Sequence, residues 1–106
     1  MTTYISGPMS GHPDLNFPAF NDAARALRFA GLDVVNPADH GIIDGFEWSD
    51  YLRADIKALM DCDSILMLDG WMQSRGARLE RHIAVELGMP VYYSLTEALE
   101  SQGVAA

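Results

Sequence analysis

The sequence predicts an α/β fold, a small doubly wound parallel sheet of four to five strands, flavodoxin- or Rossmann-like, with helices on both faces. Short apolar runs alternate along the chain with longer segments whose apolar residues recur at helical spacing. Glycine and proline separate the two kinds of segment. An alternation of this kind is typical of parallel strands joined by right-handed crossover helices.

The predicted strands and helices follow one another in order. Strands are predicted at residues 2–6, 33–36, 64–68 and 90–93. Helices are predicted at residues 17–30, 47–61 and 75–88, with a short fourth helix capped by Ser94 or Thr96 and a frayed tail beyond it. Asn16 and Ser74 are the predicted N-caps of the first and third helices, because short polar side chains can accept hydrogen bonds from the first turn. Gly31 and Gly88 end these two helices.

Composition and charge limit the class of protein. With 106 residues, 49% of them hydrophobic, the chain is expected to form one domain over residues 1–106. Its 7 Lys and Arg against 15 Asp and Glu give a net charge of −8, which argues against binding nucleic acid polymers or anionic membranes. No apolar run approaches the roughly 20 residues of a membrane span, and the first residues do not resemble a signal peptide. A cytoplasmic protein without an internal disulfide is expected, since Cys62 is the only cysteine.

Residues that commonly hold metals or cofactors are not arranged in binding motifs. His12, His40 and His82 are far apart, and the chain has neither a His-x-x-x-His nor a Cys-x-x-Cys motif. It also lacks a Walker loop, and "GPMSG" at residues 7–11 is not Gly-x-Gly-x-x-Gly. We therefore expect neither a metal nor an organic cofactor.

Three loops are candidates for a binding site, because open parallel sheets bind ligands beyond the carboxyl ends of their strands. These loops are residues 7–16, 37–47 and 69–76. The first begins with "GPMSG", whose backbone N–H groups and Ser10 hydroxyl can bind an anion. Turns of this composition are common, so this motif alone does not define a site.

Two carboxylates lie on the apolar sides of their predicted helices. Asp55 lies four residues before Leu59, and Glu80 stands in the same relation to Ala84. Each helix therefore turns one carboxylate toward the sheet, where an unpaired charge is costly. Two explanations are open: the carboxylates form ion pairs or lie at the edge of the apolar stripe, or they belong to a functional site. The arginines available for pairing are Arg53, Arg78 and Arg81.

The position of Glu80 along its helix adds a further expectation. It lies about a turn and a half inside the helix that Ser74 caps, and Gly76 allows close approach to the backbone there. The partial positive charge of a helix N-terminus favours an ionised carboxylate. A carboxylate nucleophile needs that ionised form.

Three stretches of the chain together resemble the nucleoside 2-deoxyribosyltransferase superfamily. They are "YISGPMSG" (4–11), "RADIKALMDCDSI" (53–65) and "CDSILMLDGWMQSRGARLERHIAVELGMPVY" (62–92). In the last stretch the superfamily pattern is a strand ending in Leu-Asp-Gly, a variable loop, Gly-Thr-x-x-Glu, a helix with small residues, and Gly-x-Pro-Val. The resemblance covers about residues 3–93. The most similar subgroup consists of small phage and bacterial proteins related to deoxynucleoside 5′-monophosphate N-hydrolases.

The resemblance implies a mechanism and a set of site residues. Glu80 would attack C1′ of the sugar and displace the base, leaving a glycosyl-enzyme ester, while Asp55 would protonate or orient the departing base. Ser10 and Ser74 would hold a 5′-phosphate, and Trp71 would stack on the base. The implied substrate-binding residues are Tyr4, Gly7, Ser10, Gly11, Asp69, Gly70, Trp71, Ser74 and Gly76. The family commonly builds active sites between subunits, which implies a homo-oligomer with shared sites.

The chain departs from the superfamily pattern beside Glu80. Ala77 replaces a threonine, and Arg81 and His82 stand where the superfamily keeps an apolar residue and a glycine, so their bulk would narrow the pocket or alter subunit packing. The leading hypothesis is an enzyme that cleaves or transfers the N-glycosidic bond of a (deoxy)nucleoside or its 5′-monophosphate. The first alternative, favoured by Arg81 and His82, is a non-catalytic nucleotide-binding or regulatory module of the same fold. The second is a ribonucleotide phosphoribohydrolase.

Overall fold

The computed structural model of the protein describes residues 1–103, and within them four strands form one parallel sheet. The strands are β1 (Thr2–Ser6), β2 (Asp33–Val35), β3 (Ser64–Met67) and β4 (Val91–Tyr92). The helices are α1 (Phe17–Phe29), α2 (Trp48–Met60), α3 (Arg75–Glu86) and α4 (Leu95–Ser101). The strand order is β2-β1-β3-β4, with every neighbouring pair parallel. The predicted α/β fold class is confirmed.

Helices cover both faces of this sheet. In the sheet, β2 lies on one side of β1, and β3 and β4 lie on the other side. Because each crossover is right-handed, a connection that runs to one side of β1 places its helix on one face, and a connection that runs to the other side places its helix on the opposite face. One hydrophobic cluster joins Ile5 and Leu66 to side chains of α1 and α4. The other joins Tyr4 and Ile65 to side chains of α2 and α3. Successive strand residues point to opposite faces, so Tyr4 and Ser6 both face α2 and α3.

The elements end within one or two residues of the predicted bounds. The longest helices have 13 residues. Within residues 1–103, no helix has the length and apolar character needed to cross a membrane. Of the tail that was predicted to fray, residues 104–106 lie outside the described residues.

Two of the predicted helix N-caps are confirmed and one is wrong. Ser74 caps α3, because its Oγ accepts a hydrogen bond from the Ala77 N–H at 3.2 Å. Ser94 caps α4 by accepting from the Glu97 N–H at 3.0 Å. The prediction for Asn16 was wrong: its side chain makes no cap and donates instead to the Pro8 carbonyl at 2.9 Å. Its left-handed φ of 59° belongs to the short 3-10 turn before α1, which aims the side chain away from the helix.

Gly7 occupies a close approach between the ends of β1 and β3. A Cβ at this position would lie 2.8 Å from Leu68 Cβ, well inside contact distance. We expect Gly7→Ala to lower the free energy of unfolding in urea by about 1–3 kcal/mol, the range of an overpacking substitution. The control is Gly76→Ala, whose added Cβ would lie 3.8 Å from Leu52 Cδ1 and would favour α3. Equal stability of the two variants would contradict this close packing.

Candidate active site

A pocket of about 320 Å³ lies at the carboxyl end of β1, on the face of the sheet that α2 and α3 cover. Its wall includes the loops that follow β1 and β2 and the inward sides of both helices. Seven of the residues predicted for a site line it: Tyr4, Gly7, Ser10, Asp55, Ser74, Gly76 and Glu80. Apolar side chains, among them Phe20 and Leu52, form much of the remaining surface. The pocket therefore presents two carboxylates within a largely apolar enclosure.

Glu80 is held at the base of this pocket by two hydroxyl groups of β1. Only 5% of the residue is exposed. Tyr4 Oη donates a hydrogen bond to Oε2 at 2.8 Å, and Ser6 Oγ donates to Oε1 at 2.6 Å. Tyr4 and Ser6 reach the same carboxylate because residues two apart on a strand share a face. Each oxygen thus accepts one of these two hydrogen bonds and has a second lone pair.

The burial of Glu80 opposes the ionised form that the helix end was expected to favour. The pKa of Glu80 is raised to about 7, chiefly by burial, because the hydrogen bonds from Ser6 and Tyr4, which lower it, are outweighed by burial and the nearby Asp55 charge. Loss of water therefore outweighs the charge stabilisation expected from the helix end. Burial also raises the pKa of Tyr4, as do the Glu80 and Asp55 charges, so Tyr4 stays protonated as a donor. At neutral pH Glu80 is divided between its acid and its carboxylate forms.

Asp55 faces the pocket from α2 and pairs with His40. The two side chains are 16% and 23% exposed, and His40 Nε2 lies 3.4 Å from Asp55 Oδ1. This is ion-pair distance, but the geometry does not meet that of a hydrogen bond, and His40 Nε2 is buried without a hydrogen-bond partner among the described residues. His40 Nδ1 lies 2.7 Å from the Gly41 carbonyl, to which it must donate because a carbonyl only accepts. Nε2 is then the imidazole nitrogen that faces the Asp55 carboxylate.

The surroundings of this pair raise the pKa of Asp55. Burial raises the pKa of Asp55 to about 6, and the charge and contact of His40 lower it. His40 is itself fixed by Tyr51, whose ring centroid lies 5.3 Å from that of the imidazole. A carboxyl in this setting can give up its proton close to neutral pH. The two carboxylates therefore have raised pKa values for the same main reason, which is burial.

Arginines do not neutralise either carboxylate within residues 1–103, although sequence left that possibility open. Arg81 Nε donates to Tyr93 Oη at 2.8 Å, and its guanidinium lies 5.0 Å from the Trp71 ring centroid. Arg75 lies 4.4 Å from the ring centroid of Trp48, which is part of the pocket lining. The side chains of Arg53 and Arg78 are exposed. The buried carboxylates are stabilised by hydroxyls and an imidazole.

Four residues predicted for the site lie elsewhere: Gly11, Asp69, Gly70 and Trp71 are absent from the described lining of this pocket. Asp69 borders a separate cavity of about 380 Å³ on the side of α1. Gly70 packs against Pro8, and Trp71 packs in the cluster under α3, with Tyr93 at 5.9 Å between ring centroids. The structure does not bring these residues together with Glu80.

The structure also places the residues by which the chain departs from the superfamily pattern. Ala77 is buried in the pocket wall. Arg81 and His82 are not part of the lining among residues 1–103, so their bulk does not narrow this pocket. The structure leaves untested whether they alter subunit packing.

Sequence reasoning missed two residues that contact the carboxylates. Ser6 follows Tyr4 by two positions, so strand alternation could have placed it on the same face. His40 carried no such signal, because it lies in a short 3-10 turn far from Asp55 in sequence.

Within residues 1–103, no group of three or more His, Cys, Asp or Glu side chains could hold a metal ion.

The fold and the pocket define a doubly wound α/β protein with its site at the carboxyl ends of parallel strands. The chain belongs to the family described as Domain of unknown function (DUF4406), whose model matches residues 1–93. Its fold is similar to that of a 2-deoxyribosyltransferase from the psychrotolerant bacterium Bacillus psychrosaccharolyticus, with a TM-score of 0.68 and 17% identity. The match covers 86% of this chain and 69% of that one. No curated protein matches the sequence.

Proposed function

We propose that the protein cleaves or transfers the N-glycosidic bond of a (deoxy)nucleoside or its 5′-monophosphate, with Glu80 as nucleophile and Asp55 as general acid. The observation that carries this proposal is the placement of two carboxylates in one pocket, the buried Glu80 and the partly buried Asp55, neither of which an arginine neutralises within residues 1–103. Both carboxyl groups have pKa values near neutral pH, so Asp55 can donate a proton and Glu80 can act as a nucleophile in that pH range. The similarity in fold to a 2-deoxyribosyltransferase supports the same reaction class.

The reaction has a simple balance of bonds. A Glu80 oxygen forms a bond to C1′ while the C1′–N bond breaks, and the electron pair of that bond stays on the departing base. Asp55 gives its proton to a nitrogen of the base and becomes a carboxylate beside His40. Water or a second base then attacks C1′ and gives its proton to the Asp55 carboxylate, while the C1′–O bond to Glu80 breaks and its electron pair returns to Glu80. Water makes the protein a hydrolase, and a base makes it a transferase.

A 5′-phosphate on the substrate is part of the proposal. A second cavity of about 270 Å³ shares Ser10, Trp48, Ser74 and Gly76 with the main pocket and adds Arg75 to its lining. A phosphate there would meet the N-terminal end of α3 and a cation. These features support Ser10 and Ser74 as phosphate-binding residues.

We further propose that residues 1–106 form a single domain. We also propose that the protein is a homo-oligomer with sites shared between subunits. Leu79, Val85 and Leu87 of the α3 segment are 38%, 47% and 60% exposed. Exposed apolar side chains on one helix are common at subunit interfaces. Light scattering of the purified protein tests this assembly.

A narrowed pocket no longer favours the non-catalytic alternative. Arg81 and His82 favoured it, yet neither belongs to the described lining of the pocket. The ribonucleotide alternative differs only in the sugar that the pocket admits, so substrate comparison separates it from the main proposal.

A panel of substrates tests the function directly. The protein is incubated with deoxynucleosides, deoxynucleoside 5′-monophosphates and ribonucleotides, with and without an acceptor base, and free or exchanged base is measured by chromatography. We expect base release or exchange from at least one deoxy substrate, because the pocket holds both required carboxylates. Saturable nucleotide binding without base release across the panel would support a binding module and contradict the proposal. Release from ribonucleotides alone would support the phosphoribohydrolase.

A further inference from the structure

The two hydrogen bonds to Glu80 reach different oxygens of the carboxylate. Tyr4, the donor to Oε2, lines the pocket. Ser6, the donor to Oε1, is not part of the described pocket lining. Its bond of 2.6 Å is also the shorter of the two. Oε1 is therefore held from behind the pocket, and Oε2 lies on the side from which a substrate enters.

We propose that Ser6 is a positioning residue that holds Oε1 of Glu80 and leaves Oε2 as the oxygen that attacks the anomeric carbon. This inference rests on the proposed function and assigns the attacking atom within it. Oε2 has two lone pairs, of which Tyr4 uses one, so the other can form the bond to C1′. Neither the composition of the pocket nor the position of Glu80 on α3 distinguishes the two oxygens.

Ser6 keeps its hydrogen bond through both steps of the reaction. When Oε2 bonds to C1′, Oε1 becomes the carbonyl oxygen of the ester, and the Ser6 hydroxyl still donates to it. When water or a second base attacks C1′, the C1′–Oε2 bond breaks and its electron pair returns to the carboxylate. Ser6 then stabilises the charge that develops again on Glu80. It touches neither substrate nor base, so it acts only through Glu80.

The groups around Glu80 give Ser6 a measurable influence on its ionisation. Tyr4 from β1 and Asp55 from α2 are the titratable groups that act on Glu80, and His40 lies behind Asp55. Arg81 is next to Glu80 in sequence, but it is bound to Tyr93 instead. Without an arginine partner, the carboxylate depends on its two hydroxyl donors. Removing the Ser6 donor makes the ionised form of Glu80 harder to reach.

The test compares Ser6→Ala with Ser64→Ala. Ser64 is a matched control, since its buried Oγ lies 2.9 Å from Thr3 Oγ1 on the same pair of strands without contacting Glu80. We expect Ser6→Ala to lower kcat roughly 10- to 100-fold, the loss typical of a hydrogen bond to a charged group, with KM unchanged. Because the active form has Asp55 protonated and Glu80 ionised, and Glu80 has the higher pKa, the alkaline limb of its pH–rate profile should move to higher pH. Ser64→Ala should leave kcat and this limb unchanged.

A second measurement is independent of turnover. In protein labelled with ¹³C at the glutamate carboxyl groups, the Glu80 signal is identified by its loss in Glu80→Gln and is titrated in each variant. We expect a higher midpoint in Ser6→Ala and an intermediate one in Ser6→Cys, which keeps the volume with a weaker donor. Ser6→Cys also serves if Ser6→Ala does not fold.

The outcomes separate this inference from the proposed function. If the wild-type protein releases base but Ser6→Ala matches Ser64→Ala in both kcat and the Glu80 titration, the positioning role is overturned and the function stands. If the wild-type protein releases no base from any substrate of the panel, the function fails and the assignment of Oε2 fails with it, even where the titration shifts. A shifted titration together with a lowered kcat and an unchanged KM supports the inference.

Discussion

Replacing Glu80 with glutamine is expected to lower the rate of base release by roughly 10⁴-fold or more, the scale seen when a nucleophile is removed. The amide matches the carboxylate in size and can share hydrogen bonds with Tyr4 and Ser6, but it cannot form the ester to C1′. The measurement is chromatography of released base under single-turnover conditions. Glu86→Gln, an exposed position on the same helix, is the control and should retain the wild-type rate. Release that survives in Glu80→Gln would remove Glu80 from the mechanism.

The same substitution is expected to stabilise the protein at high pH. Burial raises the pKa of Glu80 from its ordinary 4.5 to about 7 in the folded state. The folded protein therefore holds this proton over a range in which the unfolded chain has lost it, and stability falls as the pH rises through that range. The reduction in the free energy of unfolding reaches its full value, roughly 3 kcal/mol, above pH 7, and about 1 kcal/mol of it is present at pH 5.

Glu80→Gln carries no such cost, so its stability gain over wild type should be larger at pH 8 than at pH 5. Urea denaturation at the two pH values measures this difference. Glu86→Gln removes the same charge from an exposed site and should show little change between them. Equal gains for Glu80→Gln at both pH values would mean that burial does not raise the pKa of Glu80. A stability cost at the catalytic position is a common feature of active sites.

Replacing Asp55 with asparagine is expected to slow base release by roughly 10²- to 10⁴-fold, the usual contribution of a general acid. The effect should depend on the departing base. Ordinary bases need a proton as the C1′–N bond breaks, whereas the 7-methylguanine of 7-methyl-2′-deoxyguanosine leaves without one. The loss should therefore be large for 2′-deoxyguanosine and small for its 7-methyl derivative. Asp44→Asn, at an exposed loop position, is the control.

The pH dependence gives a second measure of the same role. Asp55 must be protonated while Glu80 is ionised, and their pKa values are about 6 and about 7, so the rate on ordinary substrates should fall as the pH rises above about 7. This fall should disappear in Asp55→Asn. An equal loss on both guanine substrates, with an unchanged profile, would show that Asp55 has a structural role only.

Most of the fold could be predicted from the helical and strand periods at which apolar residues recur in the sequence. The spacing of Asp55 and Glu80 against their apolar neighbours put both carboxylates on the inward sides of α2 and α3, where the structure has them. Ser74 was identified as a cap from its residue type and position alone. These features are local, because a helix or strand fixes the direction of a side chain within a few residues.

Other features needed contacts across the chain. The partners of Glu80 lie 74 and 76 residues away from it, and the partner of Asp55 lies in an irregular turn. Asn16 failed as a cap because a left-handed turn before α1 redirected it toward Pro8. Trp71 followed β3 as predicted, yet it packed under α3 with Arg81 and Tyr93.

The sequence by itself determined that this chain winds α-helices over both faces of a parallel sheet and turns two carboxylates inward. Only the tertiary structure decided that hydroxyls and a histidine, not arginines, meet those carboxylates, and that Glu80 has a pKa of about 7. The physical reason is the range of the forces involved. Side-chain direction follows from local backbone geometry, whereas a pKa depends on how much water the distant β1, α2 and α3 together exclude.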